Sequence, residues 1–206
     1  MKMKIHMTMA VAALVLGGWT LGAIADDHPP GEYKGPELSV PDLSGAIQTL
    51  QHQAGKIVVL EWTNYDCPFV KKHYSAGNMQ ELQKRYTGKG VVWWTICSSA
   101  EGKQGYYTAE KWKEMVEESG AASTATLLDV SGEAGRALSA KTTPHMFVID
   151  RDGSIAYRGA IDNIRSTDPD DIEGAENFVA AALDALLQGE KVKVSKTAPY
   201  GCSVKY

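Results

Sequence analysis

The apolar run Ile57-Val58-Val59-Leu60 gives way to polar residues and then to Cys67-Pro68, and no other stretch constrains the fold as much. Three β-branched residues and a leucine in succession make a strand buried on both faces. Pro68 suits the first turn of a helix, where its missing N–H would have no partner anyway. Cys67 therefore sits where a strand ends and a helix begins. At such a place the free N–H groups and the positive end of the helix dipole favour a thiolate over a thiol. The thiolate is the form that attacks disulfides and peroxides. A free Cys is more often a small core hydrophobe. The polar neighbours Asn64, Asp66, Lys71 and Lys72 argue against burial of this one.

The beginning of the chain reads as a secretory signal over residues 1–25. Lys2 and Lys4 precede the apolar stretch Met9-Ala10-Val11-Ala12-Ala13-Leu14-Val15-Leu16, and Ala23-Ile24-Ala25 places small residues where a signal peptidase reads. That stretch is too short for a spanning helix, which needs roughly 20 apolar residues. The mature chain then starts near Asp26, exported to a periplasmic or secreted setting where disulfides persist, with no membrane association. Removing residues 1–25 takes away two lysines and no acid, so the formal charge goes from −4 to −6. With no basic cluster, nucleic acid is not an expected partner. Residues 26–36, rich in Pro and Gly, read as a leader, and 37–206 as one domain.

Residues 57–63 are expected as a strand and 68–86 as a helix broken near Gly77. A second buried strand spans 91–96, and a helix capped by Thr108 runs to Ser119. A short strand at 126–129 and a short helix at 133–140 follow. Residues 146–149 and 154–157, joined by Asp150-Arg151-Asp152-Gly153, read as a hairpin. The stripe Phe178, Ala181, Ala182, Leu183, Leu186 and Leu187 closes the chain with a helix over 172–187. Strand–helix–strand followed by helix–hairpin–helix is an α/β sandwich, a central mixed sheet flanked by helices. Strand alternation puts Trp93 and Trp94 on opposite faces, and of these and Trp62 at least one reads as core, with no stacking platform assigned. Asp168-Pro169-Asp170-Asp171 reads as a loop and helix cap rather than a calcium site.

This order, with Cys67 at the first strand-to-helix junction, resembles the thioredoxin superfamily. Four stretches bring the resemblance closer: Glu61–Asn64 with Asp66–Tyr74, Lys141–Asp150, Gly159–Asp162 and the tail Pro199–Tyr206. Together they resemble exported redoxin-domain proteins of bacteria, the peroxiredoxin-like branch. The resemblance implies a thioredoxin-like sandwich, thiol redox chemistry with antioxidant character, and no cofactor. Thr143-Pro144 looks like the superfamily's cis-proline loop, which faces the reactive Cys and offers backbone groups to a substrate. Glu61 stands where thioredoxins carry a buried acid able to relay a proton. The substrate expected is a protein or small-molecule disulfide, thiol or peroxide, with an unidentified thiol as electron donor.

Two departures shape the chemistry. Val70 stands where thioredoxins have the second Cys of C-x-x-C, so no local disulfide forms. Pro68 follows Cys67, whereas peroxiredoxins carry a Thr and a Pro before theirs, and only Arg158 and Arg165 are near candidates for their peroxide-polarising Arg. A resolving partner for Cys67 has to be Cys97 or Cys202. Cys97, at the end of a parallel strand, lies within reach; Cys202 sits on a tail able to fold back. The resemblance favours Cys202, because the tail Cys accompanies the Cys67 motif in that group. A different class, copper binding or delivery, would draw on Cys67, His145, His73 and Met146. No C-x-x-x-C pair is present, and no metal site is assigned.

Overall fold

The structure, a computed structural model, describes residues 33–206. The expected signal 1–25 and the leader up to residue 32 lie outside the described residues. The described end of the leader packs on the fold: Lys34 N–H donates to Asp152 O at 2.8 Å, and Tyr33 OH donates to Pro36 O.

A short antiparallel pair, β1 (Ser39–Pro41) and β2 (Ile47–Thr49), leads in. There follow β3 (Val58–Trp62), α1 (Pro68–Ser75), α2 (Asn78–Thr87), β4 (Val92–Cys97), α3 (Ala109–Ser119), β5 (Ala125–Leu128) and α4 (Glu133–Leu138). The chain continues through β6 (Thr142–Thr143), β7 (His145–Ile149), β8 (Ile155–Gly159), α5 (Phe178–Leu187) and β9 (Cys202–Ser203). Five strands form the central sheet in the order β5-β4-β3-β7-β8. The β3–β4 and β4–β5 pairs are parallel, and β3–β7 and β7–β8 antiparallel. All positions of β3 and β4 are buried, as strands covered on both faces require.

Alternation along the strands divides the core. Val59, Trp93, Met146 and Val148 face Val70 and Tyr74 of α1, Met79 and Tyr86 of α2, and Val179 and Leu183 of α5. On the other face Leu60, Trp62, Trp94 and Phe147 meet Leu38, Val40 and the α4 residues Ala134 and Leu138. Trp93 and Trp94 thus lie in opposite layers, and both are core. Trp62 donates its indole N–H to Ser98 Oγ at 2.9 Å, and Ser98 donates to Asp129 at 2.6 Å.

The helix break falls where expected: α1 ends at Ala76, and Gly77, at φ 74°, opens α2. The last helix is shorter than the expected 172–187. Residues 169–172 instead form a 3-10 turn, with Asp168 accepting from Asp170 N–H. The α-helix begins after Asn177, whose side chain accepts from Ala180 N–H at 2.8 Å. The segment between is spent on pairing: Phe178 N–H donates to Ile161 O, and Asn163 N–H to Glu176 O.

Among the strands without forewarning, which include β1, β2 and β6, the one that reaches the site is β9. Its antiparallel pairing with β6 sets Thr142 opposite Ser203 and Thr143 opposite Cys202, folding the tail back across the top of the sheet.

Candidate active site

The strand β3 delivers the chain to Thr63, whose N–H pairs with Ile96 O at 2.9 Å. An Asx turn follows: Asn64 Oδ1 accepts from Asp66 N–H, and Cys67 N–H donates to Asn64 O, each at 2.9 Å. Cys67 then occupies the N-cap of α1 with an extended backbone, and Pro68 takes the first turn. The expectation that polar neighbours keep Cys67 from full burial is not met, for it is 0 % exposed. Two of those neighbours are themselves buried with partners. Asn64 also donates to Gln104 O, and Lys72 donates from Nζ to Ile164 O and Ser166 Oγ, each at 3.2 Å.

The Cys67 sulfur faces the loop ahead of β7. As a thiol it donates to Thr143 O at 3.0 Å, and the Thr143–Pro144 bond is cis. Across the β6–β9 pair Cys202 stands opposite Thr143, whose carbonyl accepts from the same sulfur. Burial works against ionising Cys67, and as donor to a carbonyl its thiol form gains a further contact. Hydrogen bonding to the sulfur, that of the Cys202 side chain foremost, outweighs this, and the pKa is lowered. Cys202 moves oppositely, up to about 11, through burial, its bond to Cys67 and the charge on that sulfur. The two shifts run in opposite directions, so of this pair Cys67, at the helix start, is the thiol that ionises first.

Cys97 is buried at the end of β4, its thiol directed to Ser99 Oγ and Gly105 O. Burial pushes its pKa up, against a lowering bond to Ser99. It is not brought to Cys67 by any hydrogen bond.

Glu61 is wholly buried. It accepts from Tyr74 OH and Trp93 Nε1, each at 2.9 Å, and from Gln83 Nε2 at 3.1 Å. Burial raises its pKa although these donors pull it down. The network ties α1, α2 and β4 to β3, and none of these hydrogen bonds is to the Cys67 sulfur.

Of the copper ligand types, His73 and His145 lie apart, each within hydrogen bonds of its own. His145 Nδ1 accepts from Lys141 N–H at 3.2 Å, and its ring lies 4.5 Å from Phe147. His73 Nδ1 accepts from Asn78 Nδ2 at 2.8 Å, and Nε2 stands 3.9 Å from Asp162 Oδ2. Among the described residues no three His, Cys, Asp or Glu side chains gather as a metal site. Arg158 and Arg165 are both exposed.

A redoxin family profile matches residues 30–176. The chain belongs to the redoxin family. This redoxin resembles an uncharacterised conserved protein from Geobacillus kaustophilus, 28% identical, with 86% of this chain and 92% of that one covered and a TM-score of 0.72. A hypothetical protein from Sinorhizobium meliloti is 25% identical over 85% of this chain and 93% of that one, also at a TM-score of 0.72. A candidate thiol:disulfide interchange protein, DsbE, from Chlorobium tepidum shares the fold at a TM-score of 0.52. It is 21% identical, with 74% of this chain and 96% of that one covered. Among curated proteins none matches the chain. The fold is thioredoxin-like, and the family places the redoxin among thiol-based redox proteins.

Sequence reasoning missed two residues around the site, Tyr200 and Asp162. Tyr200 OH donates to Asp162 Oδ1, and Asp162 lies beside His73. Asp162 and His73 come from distant segments, so no spacing linked them. A signal was available in Gly201, which precedes the tail Cys. A Cβ there would run into the Thr143 carbonyl, so the close approach of the tail to β6 demands glycine.

Proposed function

We propose that this redoxin is a thiol-disulfide oxidoreductase with Cys67 as nucleophile and Cys202 as resolving thiol. The observation carrying the reading is the place of Cys67 at the N-cap of α1, its thiol on the carbonyl of Thr143, which pairs across β6 and β9 with Cys202. The Cys67 thiolate attacks one sulfur of a substrate disulfide, forming a mixed disulfide and releasing the other half as a thiolate. Cys202 gives up its proton and attacks Cys67 Sγ, releasing the second half of the substrate. The substrate gains two electrons, the protein carries a Cys67–Cys202 disulfide, and an external thiol restores the dithiol. Thr143 and Pro144 position the reacting sulfur. Glu61, a buried acid with a raised pKa, is the candidate proton store, acting through its network rather than by contact.

A second reading is favoured by the burial of Cys67, which suits a small electrophile. Hydrogen peroxide would convert the thiolate to a sulfenic acid with loss of hydroxide, and the Cys202 thiol would condense with the sulfenic acid to the same disulfide and water. We read residues 1–25 as the export signal that brings the mature protein to an oxidising compartment.

The test is to treat the reduced protein with one equivalent of 2-hydroxyethyl disulfide or of hydrogen peroxide, and to map the products under non-reducing conditions. A Cys67–Cys202 peptide is expected with the disulfide. A dominant Cys67–Cys97 peptide, or Cys67 left reduced, overturns the assignment, and the ratio of the two rates decides between the readings.

A further inference from the structure

The tail does more than bring up a thiol. Its strand β9 occupies the edge of β6, where Thr142 and Thr143 would otherwise offer unpaired backbone groups beside Cys67. Such an edge is what an extended peptide pairs with when it adds a strand. The docking is built along the whole tail. Tyr200, 5 % exposed, donates to Asp162 and packs against Phe69 at 5.8 Å. Beyond β9, Val204 N–H donates to Lys141 O, and Ala100 N–H to Lys205 O. Tyr206 donates to Ala140 O at 2.9 Å and lies under the Arg136 guanidinium at 4.7 Å. Gly135 leaves the space that its ring fills.

We propose that the tail is a tethered occupant of the position that an extended substrate strand takes on β6. While docked, it closes Cys67 to macromolecular disulfides and leaves access to small oxidants and disulfides alone. Small molecules need only local fraying at Cys202, since the Cys67 thiol bonds to Thr143 O, the residue that pairs with Cys202. A polypeptide disulfide needs the β6 edge itself, so the segment from Tyr200 to Tyr206 has to lift. The substrate class of the resting protein is therefore small thiol-reactive molecules, and tail release is the step that admits protein disulfides. This rests on the reading of Cys67 as the nucleophile.

The test compares two reagents of one chemistry and different size, N-ethylmaleimide and a long polyethylene-glycol maleimide. Rates at Cys67 are resolved by peptide mapping and normalised to the same ratio in urea-unfolded protein. In the wild type the small reagent should be favoured at least about tenfold, because the opening it needs is local. In Gly201→Ala and Tyr206→Ala, which lift β9 from opposite ends and retain both thiols, the preference should fall to within about threefold. Far-UV circular dichroism checks that each variant is folded. The wild type supplies an independent measure: in urea, labelling of Cys67 by the large reagent should rise before the global transition. No size preference in the wild type, a preference unchanged in both folded variants, or large-reagent labelling that appears only with global unfolding overturns the proposal. If Cys67 is size-gated yet reacts more slowly than Cys202 once the tail is lifted, the nucleophile assignment falls while the tail's closing role stands.

Discussion

Both described histidines of the site region, His73 and His145, are buried and held neutral, and replacing them should change how the protein tolerates acid. Each uses Nδ1 as an acceptor, from Asn78 in one case and from Lys141 N–H in the other. Protonating either nitrogen would set N–H against N–H in a dry interior. Burial is the main cause of both pKa values falling to about 4; Lys72 adds to it at His73, and Arg158 and Lys141 at His145, while Asp162 opposes it. In the unfolded chain a histidine titrates near 6.5. Because the folded pKa is depressed, the unfolded state binds more protons between the two values, and stability falls as pH drops from about 6.5 towards 4. From pH 7.5 to 5.5 each histidine should cost about 1.3 kcal/mol of unfolding free energy, and the pair about 2.6 kcal/mol. Glu61 works in the opposite sense: its raised pKa makes the fold more stable as pH drops below the folded value. The decisive quantity is therefore the difference between the wild type and His73→Gln/His145→Gln, whose amides accept the same bonds without titrating. Urea unfolding at pH 7.5 and 5.5 measures it. The wild type should lose about 2.6 kcal/mol relative to the variant over that interval; a difference under about 0.5 kcal/mol would refute the claim that both rings are held neutral by burial.

Replacing Trp93 with Phe should destabilise the domain by about 1–3 kcal/mol, because the buried Glu61 carboxyl loses its indole donor; denaturant unfolding measures this, and an unchanged midpoint would remove Glu61 from the core network. Alkylation rates followed across pH should rank Cys67 first and Cys97 last at neutral pH, since burial raises the latter's pKa; a faster Cys97 would contradict the site.

The site's nucleus was legible because its signals are local. An apolar strand, a Cys and a helix-starting Pro lie within twelve residues, and the structure puts Cys67 at the N-cap as those residue types imply. The alternation that separated Trp93 from Trp94 is equally local, and the two do fall in opposite layers. The burial of Cys67 was not legible, because polar neighbours such as Lys72 find partners from segments far along the chain. The start of the last helix was written in Asn177, a good cap, but the longer apolar stripe outweighed it. Two-residue strands such as β6 and β9 carry no periodicity at all. Their pairing is fixed by register over some sixty residues, with Gly201 as its one local trace.

The placing of β3 at the centre of the sheet has a kinetic consequence. Val58 pairs with Val92 on one side and with Ile149 on the other, closing loops of 34 and 91 residues. By chain entropy the second closure costs about 0.9 kcal/mol more than the first. Until it is made, β3 has one bare edge and the antiparallel half of the sheet has nothing to dock on. Such non-local pairing folds slowly. A chain of this topology stays threadable for longer than one built from neighbouring hairpins, an asset on any route that carries it unfolded through a pore.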